Sequence, residues 1–178
     1  KAVAELTIGL MLSLLRGTHV SNAELHAGAW RRYMGRRLEE VTVGLIGVGR
    51  IGTGVMARLQ ALGCRRILAN DLVPASSLET AFRFSWADKE TIYHEADVIS
   101  IHVPLTRQTM GMVARREMMA MKPDSCLINT ARSGIVNESD LADLMQGGHL
   151  SAAAIDVFEE EPYAGPLACI ERCLLTAH

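Results

Sequence analysis

The 178 residues are 49% apolar and 21% charged, with 15 Gly and 5 Pro and a mean hydropathy of +0.15, which excludes a disordered tail, a collagen-like repeat and a disulfide-held miniprotein. Eighteen Lys plus Arg against 20 Asp plus Glu give a net charge of −2, too balanced for a global attraction to nucleic acid or an acidic membrane. Aromatics, at 4%, are too scarce for a base-stacking platform, and the length suits one domain burying roughly 70% of its unfolded surface.

The first predicted element is a helix over 2–16. Leu6, Ile8, Leu10, Met11, Leu12, Leu14 and Leu15 occupy most of its circumference, so it calls for cover on two sides, from a second domain or another subunit. Glu5 interrupts it, and it is too short for a membrane span and lacks the basic start of a signal peptide. Ser21 and Glu24 form an S-x-x-E capping box, which predicts a second helix from Ser21 toward Trp30. The arginines at 31, 32, 36 and 37, followed by Glu39 and Glu40, read as a solvated linker. The four cysteines, Cys64, Cys126, Cys169 and Cys173, contain no Cys-x-x-Cys pair and lack partners at zinc spacing. They are expected to be reduced thiols of a cytoplasmic protein, with no metal site.

From Val41 onward, short continuous apolar runs alternate with helical segments. The runs are 41–46, 66–69, 97–103, 126–129, 152–157 and 173–176, and the helices are expected near 51–62, 89–95, 115–121 and 138–146. Continuous rather than alternating apolarity marks strands buried on both faces, so the expected fold class is α/β, a Rossmann-type doubly wound parallel sheet preceded by a helical arm. The segment 72–86 is hard to assign and suggests a short strand at Phe82–Ser85.

Gly47-Val48-Gly49-Arg50-Ile51-Gly52 is G-x-G-x-x-G between an apolar strand and an amphipathic helix, the context in which glycines make a tight turn and helix amides hold a pyrophosphate. Asp71 follows 71 − 52 = 19 residues after the third glycine. There its carboxylate would bind ribose hydroxyls and repel a 2′-phosphate, favouring NAD over NADP. Three further polar residues stand past later strands: Arg132, Glu161 and His178. A guanidinium can clamp a carboxylate bidentately, and a carboxylate beside an imidazole fixes its tautomer for acid–base work.

Several ordered stretches carry a resemblance. They are Ala2–Thr7, Gly28-Ala29-Trp30, Val43–Gly52, His102–Thr106, Asn129–Val136, Asp156–Pro162 and Leu175–His178. On these the chain resembles, over essentially its whole length, the nucleotide-binding domain of the D-isomer-specific 2-hydroxyacid dehydrogenases. The resemblance implies reversible hydride transfer between NAD(H) and a 2-hydroxy/2-oxo acid. Arg132 would bind the substrate carboxylate and carbonyl, and His178 would be the proton donor paired with Glu161. Asp156 would meet the nicotinamide carboxamide, Arg50 and Ile51 would lie along the pyrophosphate, and Val103, Pro104, Thr130 and Ala131 would line the cofactor. Two departures stand out: Ser133 where the family usually has Gly, and Ala177 where it has Pro before the histidine. The resemblance further implies that residues 1–178 form the NAD-binding domain, with 1–40 as an arm or hinge that contacts a homodimer partner and 41–178 as the Rossmann core. By the same resemblance a flanking substrate domain is expected outside the chain, and the isolated fragment is expected to show little turnover. A corepressor-like, NAD(H)-sensing interaction protein of the C-terminal-binding type is similar in fold and is the alternative reading.

Overall fold

The computed structural model describes residues 1–178. Seven strands form one parallel sheet, β1 (Thr42–Ile46), β2 (Arg66–Asn70), β3 (Ser85–Trp86), β4 (Val98–Ile101), β5 (Cys126–Asn129), β6 (Ala152–Ile155) and β7 (Cys173–Leu175), in the order β3-β2-β1-β4-β5-β6-β7. The four central strands β1, β4, β5 and β6 are buried at every position, which is why each appears in the sequence as a mainly apolar run. Helices cover both faces, as the doubly wound reading requires. One face carries a core of 22 buried residues, with contributions from α1 (Ala2–Arg16) and α3 (Arg50–Ala61). The other carries 25, with contributions from α5 (Lys89–Glu95), α6 (Arg115–Ala120) and α7 (Glu138–Gln146). The remaining helices are α2 (Thr18–His26) and the short α4 (Ser76–Ala81).

Helix α1 needs less outside cover than its composition suggested. Ala4, Thr7, Ile8, Leu10, Met11, Leu14 and Leu15 are already buried in this chain, against α3, β5 and β6, leaving Leu6 and Leu12 half-buried. The S-x-x-E reading of α2 fails. Gly17, in the left-handed region at φ 60°, ends α1 and starts α2 at once, so Ser21 lies within the first turn with its N–H on Gly17 O at 2.9 Å. Glu24 pairs instead with Arg31 at 3.1 Å.

The basic stretch behaves as the linker expected of it. Arg37 pairs with Glu39 and Glu40, and Arg36 donates to Asp124 O at 2.9 Å, tying the linker to the amino end of the sheet. In the ambiguous segment the strand falls at Ser85–Trp86, three residues later than Phe82. It pairs only with β2 at the sheet edge, where Phe84 meets Trp86 edge-on at 4.9 Å.

No helix is long and apolar enough to cross a membrane. The cysteines are free thiols.

Candidate cofactor cleft and chemical site

The sheet order reverses direction between β1 and β4, both of which pair in parallel, and the carboxyl ends of two strands that diverge in this way leave a crevice. The glycine turn enters it from β1. Gly47 has φ 95° and donates its N–H to Asn70 O at 2.8 Å, while a Cβ on it would lie 2.8 Å from the backbone of His102. Gly52 sits so close beneath that its Cβ would be 2.1 Å from Gly47 O. Around Gly49 no atom lies within 4 Å of where a Cβ would stand, so the turn is tight on the protein side and open on the cleft side. Gly49 is the residue before α3, which is 12 residues long, and the start of such a helix leaves free amides that can bind an anion.

Two cavities meet at this turn, sharing Gly49, His102, Val103 and Pro104. The first, about 380 Å³, holds Asp71, Leu72 and Lys89, and is walled opposite by the 104–112 turn. Asp71 is held by two amides, accepting from Val48 N at 2.8 Å and Leu72 N at 2.7 Å. The second, about 410 Å³, is lined by Arg50 and Ile51 on one side and by Thr130, Ala131 and Arg132 on the other. An elongated dinucleotide fits this pair of linked cavities, with one acid at one end, helix amides in the middle and a polar turn at the other.

His102 lies between the cavities. A ring nitrogen pairs with Ser100 Oγ at 2.9 Å, whereas Nδ1 is buried without a partner. Burial pushes the imidazole down to about 4, so it is neutral at physiological pH. Below pH 6.5 the unfolded chain takes up a proton that the folded ring refuses, so stability is expected to fall by about 2 kcal/mol as the pH drops from 6.5 toward 4. Urea midpoints at pH 7 and pH 5 check this, and the decline should flatten in H102N.

Beyond the second cavity lies a recess of about 240 Å³ that brings Arg132, Glu161 and His178 together with Ser133, Val157, Phe158 and Glu159. His178 Nδ1 stands 3.4 Å from Glu161 Oε1, an oxygen that also accepts the Phe158 N–H at 3.3 Å. The pair is about half exposed, at 56% and 45% of the side-chain surface. Arg132 is exposed and donates to Ala131 O at 2.6 Å, so its remaining N–H groups are available. Arg132 lines both the cofactor cleft and this recess.

Neither sequence departure disturbs the site. Ser133 needs no left-handed backbone, because the positive φ (73°) falls on Gly134. In place of a proline ring before His178, Thr176 holds the segment: its N–H bonds Ile155 O at 3.1 Å and its hydroxyl donates to Asp156 Oδ1 at 2.6 Å. Asp156 itself is buried, at 6% exposure.

Thr7, Asn129 and Thr176 were not singled out as site residues. Asn129 Oδ1 accepts from Ala131 N at 3.1 Å and Nδ2 donates to Arg132 O at 3.0 Å, bracing the turn from within. A short amide at the end of a strand is a signal for such local bonds. No group of three or more His, Cys, Asp or Glu converges on a metal position.

Fold and cleft together define a dinucleotide-binding domain of the Rossmann type. Residues 8–178 match the family described as D-isomer specific 2-hydroxyacid dehydrogenase, NAD binding domain. The chain belongs to that family, and its cofactor is NAD. It is 37% identical to a D-3-phosphoglycerate dehydrogenase of Methanocaldococcus jannaschii, covering 99% of this chain and 34% of the relative. With a hydroxypyruvate reductase of Thermotoga maritima it is 39% identical, covering 98% and 56%. Among solved structures, the D-lactate dehydrogenase of Aquifex aeolicus complexed with NAD and lactic acid aligns with a TM-score of 0.90 at 29% identity, over 99% of this chain and 58% of that one. The chain thus spans about one third to three fifths of the length of the curated relatives it matches.

Proposed function

We propose that this chain is the cofactor-binding half of an NAD-dependent D-2-hydroxyacid dehydrogenase, acting between a small 2-oxo acid and its 2-hydroxy acid. The observation that carries the reading is that Arg132 borders both the cofactor cleft and the recess holding Glu161 and His178. The amides at the start of α3, beside Gly47, Gly49 and Gly52, hold the pyrophosphate, with Arg50 and Ile51 along it. Asp71 accepts the ribose hydroxyls. Val103, Pro104, Thr130 and Ala131 wall the cleft, and Asp156 uses Oδ2, left free by Thr176, to accept the amide hydrogens of the nicotinamide. Bound NADH supplies the hydride. Arg132 grips the substrate carboxylate with two N–H groups and orients the carbonyl. His178, with Nδ1 turned to Glu161, delivers a proton from Nε2 to the carbonyl oxygen as negative charge develops there, and Glu161 stabilises the charged ring before transfer. In the reverse direction the same nitrogen takes the proton back.

The flanking substrate domain would close the recess and choose the acid, and the free cysteines suit a cytoplasmic setting. Residues 1–40 we read as the arm that meets a homodimer partner. Trp30 and Met34 stand 88% and 94% exposed on the extended stretch after α2, a large apolar outlay for a surface that meets only water. A light-scattering mass equal to one chain would count against the dimer.

The function is tested by NADH oxidation with a panel of 2-oxo acids, including glyoxylate and hydroxypyruvate, using the whole protein. Turnover of at least one is expected; NADH binding with no turnover would favour the sensing alternative. The Asp71 role has its own test. D71S is expected to narrow the preference for NADH over NADPH by roughly tenfold, because the anionic repulsion of a 2′-phosphate is lost. Equal affinity of the unaltered protein for both cofactors would refute the assignment.

A further inference from the structure

The turn from Asn129 to Arg132 is braced from within by the Asn129 amide and from outside by a residue 123 positions away in sequence. Thr7, fully buried on α1, has its Oγ1 2.9 Å from Thr130 Oγ1. The direction of this bond follows if both hydroxyl contacts of Thr7 are hydrogen bonds, since Val3 O can only accept. Thr7 has one hydroxyl proton, and it is donated to Val3 O at 2.8 Å one turn back on the same helix. Toward Thr130, Thr7 can therefore only accept, and Thr130 must donate. A row of three is thereby fixed, from Thr130 to Thr7 to the Val3 carbonyl. Thr130, 5% exposed, lines the cleft between Ile51 and Arg132. With its only hydroxyl hydrogen turned toward α1, it offers a ligand lone pairs alone.

We propose that Thr7 is a positioning residue for the nicotinamide end of the cofactor cleft: it orients the Thr130 hydroxyl as an acceptor and pins the turn that presents Ala131 and Arg132. Thr7 touches neither cofactor nor substrate and acts through Thr130. The inference rests on the reading that the nicotinamide half lies against Thr130 and Arg132. Two physical costs make the bond consequential. Removing the Thr7 oxygen leaves a buried Thr130 hydrogen without a partner, and that hydrogen can be satisfied only by rotating toward the cleft. Rotation would replace an acceptor with a donor where the nicotinamide amide must bond, and would loosen the turn.

Titrations with NADH and with ADP-ribose, which shares every group of NADH except the nicotinamide, test this in the full chain and its T7V and T7S variants. Val keeps the shape of Thr and lacks the hydroxyl; Ser keeps the hydroxyl. T7V is expected to bind NADH roughly fivefold to tenfold more weakly while holding ADP-ribose as the unaltered protein does, and T7S to restore NADH binding to within about twofold. A general packing defect would weaken both ligands together and would not be rescued by Ser. The proposal is overturned if T7V binds NADH normally, if it loses NADH and ADP-ribose equally, or if T7S is as poor as T7V. If the unaltered protein binds ADP-ribose as tightly as NADH, the placement of the nicotinamide falls, and the proposal with it.

Discussion

If His178 is the proposed proton donor, H178N in the whole protein is expected to lower kcat by about 100- to 10,000-fold while leaving the Kd for NADH within about twofold. His178 lies in the recess with Arg132 and Glu161 and does not border either of the two cavities proposed to receive the dinucleotide. Its loss should therefore be felt in proton delivery and not in cofactor binding. Asn keeps a polar side chain of similar reach but cannot carry a proton at neutral pH. E161Q should have a smaller effect, about tenfold to a hundredfold, because an amide can still occupy the place 3.4 Å from Nδ1 but brings no charge to stabilise the protonated ring. The two should not add. If Glu161 acts only through His178, the double variant will be about as slow as H178N alone. Stopped-flow NADH oxidation with a substrate found in the 2-oxo acid panel measures all three. An H178N enzyme with unaltered kcat would remove His178 from the chemistry, and a double variant far slower than H178N would give Glu161 an independent role.

Those parts of the molecule that chemistry confines to short stretches of chain were the parts visible in the sequence. Strands β1, β4, β5 and β6 are covered on both faces, so nearly every side chain had to be apolar, with Thr42, Ser100 and Asn129 the polar exceptions, and the runs were easily recognised. β3 is two residues long at the sheet edge, with one residue exposed, and nothing forces a pattern on so short an edge. The error at α2 has an equally local cause. Ser21 and Glu24 have the right spacing for a cap, but Gly17 can take the left-handed conformation and turned the chain four residues sooner. The placement of the G-x-G-x-x-G turn and Asp71 in one cavity was within reach because such a turn and an acid about 20 residues on keep a fixed spacing in a strand–helix–strand unit. Arg132, Glu161 and His178 had weak individual signals and were assembled by resemblance, and the fold gathers all three in one recess. The Thr7–Thr130 bond spans 123 residues, and two threonines that far apart carry no spacing rule. Asn129 was within reach, since its bonds run to residues two and three ahead, but a buried Asn inside an apolar run looks like an interruption until its partners are known.

The glycines of the phosphate turn divide into two kinds, and a pair of alanine substitutions should separate them. At Gly52 the new methyl would stand 2.1 Å from Gly47 O and 3.0 Å from Gly47 C. Gly47 cannot retreat, because its N–H is bound to Asn70 O on β2 and its own Cβ position is 2.8 Å from the His102 backbone on the β4 side. The clash is therefore with a backbone segment held between β2 and β4, and relief requires moving α3 off the sheet. G52A is expected to lose about 2–3 kcal/mol of stability, as overpacking does at a site that cannot relax, and to lose NADH binding with it. Gly49 is the opposite case. Its φ of −66° suits any residue, and nothing in the chain approaches the Cβ position within 4 Å, so G49A should unfold within about 0.5 kcal/mol of the unaltered protein. The methyl nevertheless projects into the cleft at the point the two cavities share, where the proposed pyrophosphate site lies. G49A is thus expected to bind NADH at least tenfold more weakly at undiminished stability. Urea unfolding and NADH titration on the same preparations decide it. If G49A bound NADH normally, the open side of the turn would not be where the phosphates lie; if G52A were as stable as the unaltered protein, the contact between α3 and the turn would be softer than its geometry requires.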